Sequence, residues 1–300
     1  MLHNRPMSSV LLIFIDGLGI GTRGAHNPLH LLGEEAAPLA VFDGEETEVW
    51  GGGTLARTDA RLGIAGRPQS ASGQTTILTG INAPARLGYH KHGFPNQPLR
   101  EILNEHSIFL QLRRAGIEPN TFANAYTPRF FNERPRWVSA TTVAVESAGL
   151  RFRTLDDLRQ ARALFHDFTN AELLSRGESI EIRSAEEAAA ILARLAAEHR
   201  FTLYEHFLTD RIGHAQDSES ARRTLRQLAR FVRATIESVD LKRTTVIVTS
   251  DHGNIEDLST HNHTLNDVPT IAWGARSELV AERVRSLADI APTILALLRG

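Results

Sequence analysis

The sequence contains no cysteine among its 300 residues. This absence excludes disulfide bonds, zinc sites with thiolate ligands, iron–sulfur clusters and a cysteine nucleophile. An excess of charge of one sign is also missing, because 33 Lys and Arg residues stand against 35 Asp and Glu residues. The resulting net charge of -2 provides no basic field to attract nucleic acid, so we expect no nucleic-acid partner.

Long apolar runs are lacking as well. The longest early run covers residues 10–15 and is followed by Asp16, which makes it too short for a membrane span or for the core of a signal peptide. We therefore expect a cytoplasmic protein with no membrane partner. Hydrophobic residues make up 42% of the chain and charged residues 23%, which is typical of one large globular domain or of a core with a modest insertion.

Strand and helix patterns alternate along the chain. Residues 10–15 and 245–249 are continuous β-prone runs, which are typical of strands buried on both faces. The pattern also predicts strands at 119–123, 201–208 and 268–273, and helices at 70–78, 99–115, after Ser184, around 225–236 and from Asp289. This order indicates an α/β sheet protein. We interpret residues 22–66 as irregular loops. Residues 126–183 have mixed signals and are interpreted as a small cap or insertion on a core formed by residues 1–125 and 184–300.

Three of the predicted strands end close to an aspartate, namely Asp16, Asp210 and Asp251. In open α/β sheets ligands bind beyond the carboxyl ends of the strands. Three carboxylates in one crevice would repel one another unless a cation neutralised them. Each aspartate taken alone is explained as well by a turn or a helix cap, but their joint occurrence favours a binding site.

Histidines accompany these aspartates. His214 comes four residues after Asp210, His252 is adjacent to Asp251, and His263 follows soon after. Neutral imidazoles mixed with carboxylates suit zinc or manganese, whereas magnesium and calcium prefer sites made of oxygen alone. Although Asp210 and His214 alone could be a surface pair, the whole set predicts a two-metal site.

A serine-led helix supplies a candidate nucleophile. Ser70 opens the helix predicted at 70–78, where unpaired backbone N–H groups and the helix dipole favour an anion. On local sequence alone, a simple capping role for Ser70 or Ser72 is the more economical interpretation.

Several motifs together resemble the alkaline phosphatase superfamily, nearest to its cofactor-independent phosphoglycerate mutase and phosphopentomutase branch. The motifs are Asp16-Gly, Asp210-x-x-Gly-His214, Ser250-Asp-His-Gly-Asn254, His263-Thr-x-Asn-x-Val-Pro269 and Asp289-Ile-Ala-Pro-Thr. The resemblance implies a three-layer α/β/α sandwich with a mostly parallel sheet and a small cap. It further implies two divalent metal ions, Mn²⁺ or Zn²⁺. One would be held by Asp210, His214 and His263. The other would be held by Asp16, Asp251 and His252, together with Ser70.

The activity implied by this resemblance is phosphoryl transfer on a small phosphorylated substrate, such as a sugar phosphate, through a phosphoserine at Ser70. The enzyme would be a phosphatase or a phosphomutase, and thus a hydrolase or an isomerase. We expect Asn254 and His261 to contact and orient the metal ligands without binding the metal themselves. The sequence departs from the mutases at Gln69 and Gln74, where they carry an asparagine and a histidine, and it has no room for their large inserted domain.

Three arginines of the predicted cap, Arg129, Arg134 and Arg136, are candidates to clamp an anionic substrate, because a guanidinium matches phosphate geometry. A solvated charged loop explains them equally well.

Other functions stay open at this point. A phosphodiesterase of the same superfamily and a metal-binding protein without turnover are alternatives. A sulfatase is disfavoured, because the run from Ser70 to Gln74 lacks the proline and arginine of that branch's motif.

Overall fold

The computed structural model describes residues 8–299, so residues 1–7 and Gly300 of the predicted core lie outside the described residues. The strands are β1 Ser9–Ile15, β2 Thr54–Thr58, β3 Asn120–Phe122, β4 Ala125–Tyr126, β5 Arg153–Thr154, β6 Phe201–His206, β7 Thr244–Ser250 and β8 Val268–Gly274. The helices are α1 Pro28–Leu32, α2 Ser70–Thr79, α3 Ala83–Leu87, α4 Gln97–His106, α5 Ile108–Arg114, α6 Pro128–Asn132, α7 Ala140–Ser147, α8 Leu155–Arg159, α9 Ala171–Ser175, α10 Ala185–Glu198, α11 Leu208–Ala215, α12 Ser218–Ser238, α13 Ser277–Arg283 and α14 Ile290–Arg299. Short 3₁₀ helices occupy Gly33–Ala36, Trp50–Gly52 and Leu287–Asp289. Within residues 8–299 no helix combines the length and the apolar character that a membrane crossing needs.

The main sheet has six strands in the order β2-β8-β7-β1-β6-β3. Strand β1 is parallel to β6 on one side and to β7 on the other, and β3 is parallel to β6. Strand β8 is antiparallel to both β7 and β2. The predicted α/β class and its mostly parallel sheet are confirmed.

Strand β1 shows why the sheet is covered on both faces. Its odd-numbered residues from 11 to 15 belong to the apolar cluster that contains the inner faces of α10 and α12. Its even-numbered residues from 10 to 14 belong to a second cluster, with α5, α7 and α14. Because successive side chains of a strand point to opposite faces, the unbroken apolar run fills both clusters. The result is a three-layer α/β/α arrangement.

Two of the predicted elements differ in the structure. Residues 22–66 are not entirely irregular, since they contain β2, which has little apolar alternation and forms the edge of the sheet against β8. The single helix predicted at 99–115 is two helices, α4 and α5. The chain is extended at Ser107, whose side chain accepts a hydrogen bond from the N–H of Leu110 at 3.3 Å and so caps a new helix.

Strand β6 is shorter than predicted, and this changes the position of Asp210. The strand ends at His206, and α11 begins at Leu208, so Asp210 lies in the first turn of a helix and not at the end of a strand. The Oγ1 of Thr209 donates a hydrogen bond to the carbonyl oxygen of Asp16 at 2.5 Å. This contact holds the start of α11 against the end of β1.

Residues 126–183 pack in two different places. Helix α7 belongs to the layer against the sheet, where it contacts α2, α4 and α5. Strand β5 pairs with β4, and α8 and α9 form a small separate apolar cluster with them. The cap limits of 126 and 183 stay a prediction.

Candidate metal centre

The acidic residues meet at the carboxyl edge of the three central strands. Asp16 directly follows β1, and Asp251 directly follows its neighbour β7. Asp210 comes four residues after the end of β6, the other neighbour of β1. Gly17 has a φ of +75°, and a Cβ atom there would come within 3.0 Å of the Asp210 backbone. A glycine is therefore needed for β1 and α11 to approach this closely.

One cluster of candidate ligands consists of Asp210, His214 and His263, whose ligand atoms all lie within 4.8 Å of one another. The Nε2 atoms of the two histidines are 3.1 Å apart. Each Nδ1 atom contacts a backbone carbonyl oxygen, that of His261 at 2.7 Å and that of Pro68 at 2.8 Å. Carbonyl oxygens only accept hydrogen bonds, so the protons belong on the Nδ1 atoms and the Nε2 lone pairs face each other. A cation between them would relieve this repulsion.

A second cluster consists of Asp16, Asp251 and His252. The Nε2 atom of His252 lies 3.2 Å from Oδ1 of Asp16 and 3.6 Å from Oδ2 of Asp251. Oδ1 of Asp16 is buried and has no hydrogen-bond partner among the described residues. Burial and the neighbouring carboxylates raise the pKa of Asp251 well above its usual range, and burial also raises the pKa of Asp16.

The two clusters adjoin each other. Oδ1 of Asp210 lies 4.0 Å from Nε2 of His252, and the rings of His252 and His263 stack with their centroids 3.7 Å apart. Burial opposes charge on Asp210, but the neighbouring imidazole of His263, the charge on His252 and the hydrogen bond from Asn254 lower its pKa. The amide of Asn254 donates to Oδ1 of Asp210 at 2.7 Å, as expected for a residue that orients a ligand.

The chemistry of both clusters fits divalent metal ions. Burial opposes a proton on His252, yet Asp251 and Asp16 raise the pKa of its imidazole to about 10. These carboxylates therefore favour a positive charge at this point, which is what a divalent cation would provide. Three oxygen and nitrogen ligands in each cluster suit zinc or manganese.

Ser70 lies at the edge of this centre. It is the first residue of α2, and its Oγ atom is 3.0 Å from Nε2 of His252. One turn further on, the amide of Gln74 donates hydrogen bonds to Oδ2 of Asp16 at 3.1 Å and to Oδ2 of Asp251 at 3.4 Å. The N-terminal turn of α2 is thus held against the second cluster.

The family model named Metalloenzyme superfamily matches residues 176–299 of this chain. A curated relative, the 2,3-bisphosphoglycerate-independent phosphoglycerate mutase of Dinoroseobacter shibae, is 32% identical over 123 residues, which is 38% of this chain and 24% of the relative. The chain spans about a quarter of the length of the curated relatives it matches.

Two solved structures share the fold over almost the whole chain. A Pyrococcus horikoshii protein superposes with a TM-score of 0.54 at 14% identity, and the match covers 98% of each chain. The alkaline phosphatase of the Antarctic bacterium TAB5 superposes with a TM-score of 0.53 at 13% identity, covering 98% of this chain and 99% of the phosphatase. Residues 176–299 therefore match a metalloenzyme superfamily, and the fold of the whole chain is similar to that of an alkaline phosphatase. The curated relatives that the chain matches in part are 2,3-bisphosphoglycerate-independent phosphoglycerate mutases.

A cavity of about 560 Å³ adjoins the candidate metal centre, and Asp16, Ser70, Gln74 and Asp210 are among the residues that line it. We call it the adjoining cavity. Arg176 and Arg211 also line it. The sequence did not single out these two arginines.

The arginines selected from the sequence lie elsewhere. Arg129 is largely exposed and pairs with Glu133 at 2.9 Å, and Arg134 pairs with Glu146 at 2.5 Å. The guanidinium of Arg136 lies over the exposed ring of Trp137. None of the three lines the adjoining cavity as the structure describes it, so a clamping role for them has no support from the geometry.

Glu256 is a buried carboxylate that the sequence analysis missed. Its Oε2 atom accepts hydrogen bonds from the N–H groups of Gly19 at 2.9 Å and Asn254 at 2.7 Å. Its Oε1 atom accepts from the hydroxyl of Thr264 at 2.5 Å and the amide of Asn266 at 3.0 Å. These partners belong to the loop after β1 and to two segments of the connection between β7 and β8, one around Asn254 and one around Thr264. Glu256 therefore holds together three segments that carry candidate ligands.

Proposed function

We propose that this metalloenzyme transfers the phosphoryl group of a small phosphomonoester to water or to a second hydroxyl, with Ser70 as the nucleophile and two divalent metal ions, Mn²⁺ or Zn²⁺, as cofactors. The observation that carries the proposal is the position of the Ser70 hydroxyl, 3.0 Å from Nε2 of His252 and on the wall of the adjoining cavity. A protein that only stored metal would have no use for a hydroxyl at this point. A cytoplasmic location and a cap formed by residues 126–183 belong to the same proposal.

The candidate metal ligands form two sets. Asp210, His214 and His263 would hold one metal ion, and Asp16, Asp251 and His252 would hold the other. When bound, two such cations neutralise the charge that develops on the attacking and leaving oxygens and lower the pKa of a nearby hydroxyl.

Ser70 gives up its hydroxyl proton and forms a bond from Oγ to phosphorus while the bond from phosphorus to the ester oxygen breaks, and the departing alcohol oxygen gains a proton. Because Ser70 is the first residue of α2, the positive end of that helix lies beside the phosphoryl oxygens. Water would then release phosphate from the phosphoserine in a phosphatase, and a substrate hydroxyl would accept the phosphoryl group in a mutase.

The test uses protein stripped of metal with a chelator and resupplied with Mn²⁺ or Zn²⁺. Its substrates are p-nitrophenyl phosphate and the diester bis(p-nitrophenyl) phosphate. We expect monoester cleavage that depends on added metal, loss of that cleavage in Ser70→Ala, and a phosphorylated Ser70 peptide after rapid acid quench.

The matched control is Ser72→Ala on the same helix, because among the described residues the Ser72 hydroxyl bonds to the backbone of Gln69 and Lys91 and to no candidate metal ligand. This variant should keep its turnover, and both variants should keep most of their bound metal by elemental analysis. Full turnover in Ser70→Ala would refute the assignment of the nucleophile. Cleavage of the diester alone would replace the proposal with a phosphodiesterase.

A further inference from the structure

Aromatic side chains form much of the wall of the adjoining cavity. Six of them line it together with Asp16, Ser70 and Asp210: Phe94, Phe122, Tyr126, Phe130, Phe165 and Phe207. The volume of about 560 Å³ is in the range of roughly 300–1,000 Å³ that holds small organic ligands.

Most of these rings pack in two groups, one around Tyr126 and one around His166. The ring centroids of Tyr126 and Phe130 are 4.4 Å apart, and those of Tyr126 and Phe122 are 6.2 Å apart. On the other side of the cavity, His166 stacks on Phe207 with centroids 3.9 Å apart. Burial lowers the pKa of His166 to about 3, so at neutral pH its ring is uncharged and extends the aromatic surface.

Several uncharged polar side chains of the wall already have partners. Asn124 donates to the carbonyl oxygen of Glu205 at 2.7 Å and accepts from its N–H at 3.0 Å. The hydroxyl of Thr142 is 2.8 Å from that of Tyr126 and 2.9 Å from that of Ser139. A sugar ring placed here would bury several of its hydroxyls against aromatic rings, which is unfavourable.

The arginines of the wall are also engaged. Arg211 makes two contacts of 3.1 Å with the carboxylate of Glu172, and Arg176 pairs with the same carboxylate. Among the side chains that line this cavity, Nδ1 of His166 is a buried polar atom without a partner in residues 8–299. The cavity thus offers a large apolar surface and little hydrogen bonding.

We propose that the adjoining cavity holds an aromatic or other apolar group on the alcohol part of the phosphomonoester, with the phosphoryl group at Ser70. The inference rests on the proposed function and gives its substrate class. It replaces the sugar phosphate suggested by family resemblance, whose hydroxyls the wall cannot satisfy. Continuity supports it, because the residues of the metal centre and the aromatic rings line the same cavity.

The test compares two esters of primary alcohols, benzyl phosphate and glycerol 1-phosphate, so that leaving-group reactivity differs little. With the metal-loaded enzyme we expect kcat/KM for benzyl phosphate to be higher by about tenfold or more, the scale on which an apolar pocket discriminates. Equal values, or a preference for glycerol 1-phosphate, would overturn the inference.

Neighbouring residues of α6 provide a matched pair of variants. Phe130 lines the cavity, whereas the exposed Phe131 does not. Phe130→Ala should lower kcat/KM for benzyl phosphate by roughly tenfold and lower that for glycerol 1-phosphate much less, and Phe131→Ala should have a much smaller effect on benzyl phosphate than Phe130→Ala. Phe130→Leu should restore part of the loss, which separates lost apolar contact from misfolding. A loss that is equal for both substrates would count against the assignment.

A binding experiment separates this inference from the proposed function. Calorimetry on metal-loaded Ser70→Ala protein would compare benzylphosphonate with methylphosphonate, neither of which can be hydrolysed. Tighter binding of benzylphosphonate that is weakened by the additional Phe130→Ala change supports the cavity assignment even if no ester is turned over. Equal affinities for the two phosphonates would refute the cavity assignment, whatever the activity of Ser70.

Discussion

Removing the Glu256 carboxylate should damage the metal centre without touching a metal ligand. The side chain is 1% exposed and accepts four hydrogen bonds, one from the loop after β1 and three from two segments of the connection between β7 and β8. In Glu256→Ala the N–H groups of Gly19 and Asn254 would lose their acceptor while still buried. The segment that carries His263 would lose its connection to the other two segments.

The size of the effect follows from the hydrogen bonds. A hydrogen bond to a charged group contributes roughly 1.5–3 kcal/mol, and four of them that share one carboxylate are not additive. We expect Glu256→Ala to lower the free energy of unfolding by about 3–5 kcal/mol, near the upper end for single substitutions. The melting temperature should fall on the order of 10 °C. Glu256→Gln keeps one acceptor oxygen and should lose about half as much free energy.

The assay combines thermal unfolding with metal affinity measured by competition with a chelator. Residues that hold metal ligands in place typically change metal affinity by roughly 10–100-fold when mutated, and we expect a loss of this size. The exposed Glu237→Gln on α12 serves as a control for the loss of one acidic side chain. If the free energy of unfolding of Glu256→Ala lies within about 1 kcal/mol of the parent's and the metal affinity is unchanged, the three segments keep their positions without Glu256.

Three further results are expected. Burial and the nearby Asp16 raise the pKa of Glu205 to about 7 from 4.5, so the metal-free folded protein keeps a proton that the unfolded chain has released. The free energy of unfolding should therefore fall as the pH rises from 4.5 to 7. In urea titrations Glu205→Gln should raise the free energy of unfolding by about 3 kcal/mol at pH 8 and by little at pH 4.5. An equal gain at both pH values would contradict this cause. Chelation of the metals should lower the melting temperature by several degrees in a fluorescence melt. The reason is that a metal ion present at a hundred times its Kd stabilises the folded state by about 2.7 kcal/mol. An unchanged melting temperature would argue against metal binding by the folded protein. In Gly253→Ala the new Cβ would overlap the Thr264 hydroxyl and the Glu256 carboxylate, so the metal content measured by elemental analysis should fall. The control Gly24→Ala places its Cβ in open space and should keep its metal. Retention of metal by both variants would show that the loop can adjust.

The sequence predicts those site residues that follow local rules. Asp16 and Asp251 could be identified because each comes directly after a continuous β-prone strand, and parallel strands bring their carboxyl ends to one edge. Asp210 was found as well, although its predicted place at a strand end was wrong and it begins a helix. The assignment of ligands to each metal came from family resemblance, and the structure brings together the same two sets of residues.

The rest depends on contacts between distant segments. Glu256 lies in a polar loop where nothing local distinguishes a buried carboxylate from an exposed one, and its partners are at Gly19 and Thr264. The arginines of the adjoining cavity were missed for the same reason. Arg176 follows α9 and Arg211 lies within α11, and only tertiary packing brings both to Glu172. The arginines selected from the predicted cap, Arg129, Arg134 and Arg136, contact other residues.

The position of β1 at the centre of the sheet has a consequence for biosynthesis. This strand is synthesised well before either of its partners, because β6 and β7 follow it by more than 180 residues along the chain. At ordinary rates of about 5–20 residues per second, β1 would wait on the order of 10–40 s before β6 is made. During that time a continuous apolar, β-prone segment has no sheet to join, which is the condition under which nascent chains aggregate. Production of this protein should therefore depend on chaperones that bind the emerging β1 segment, and slower synthesis should increase that dependence.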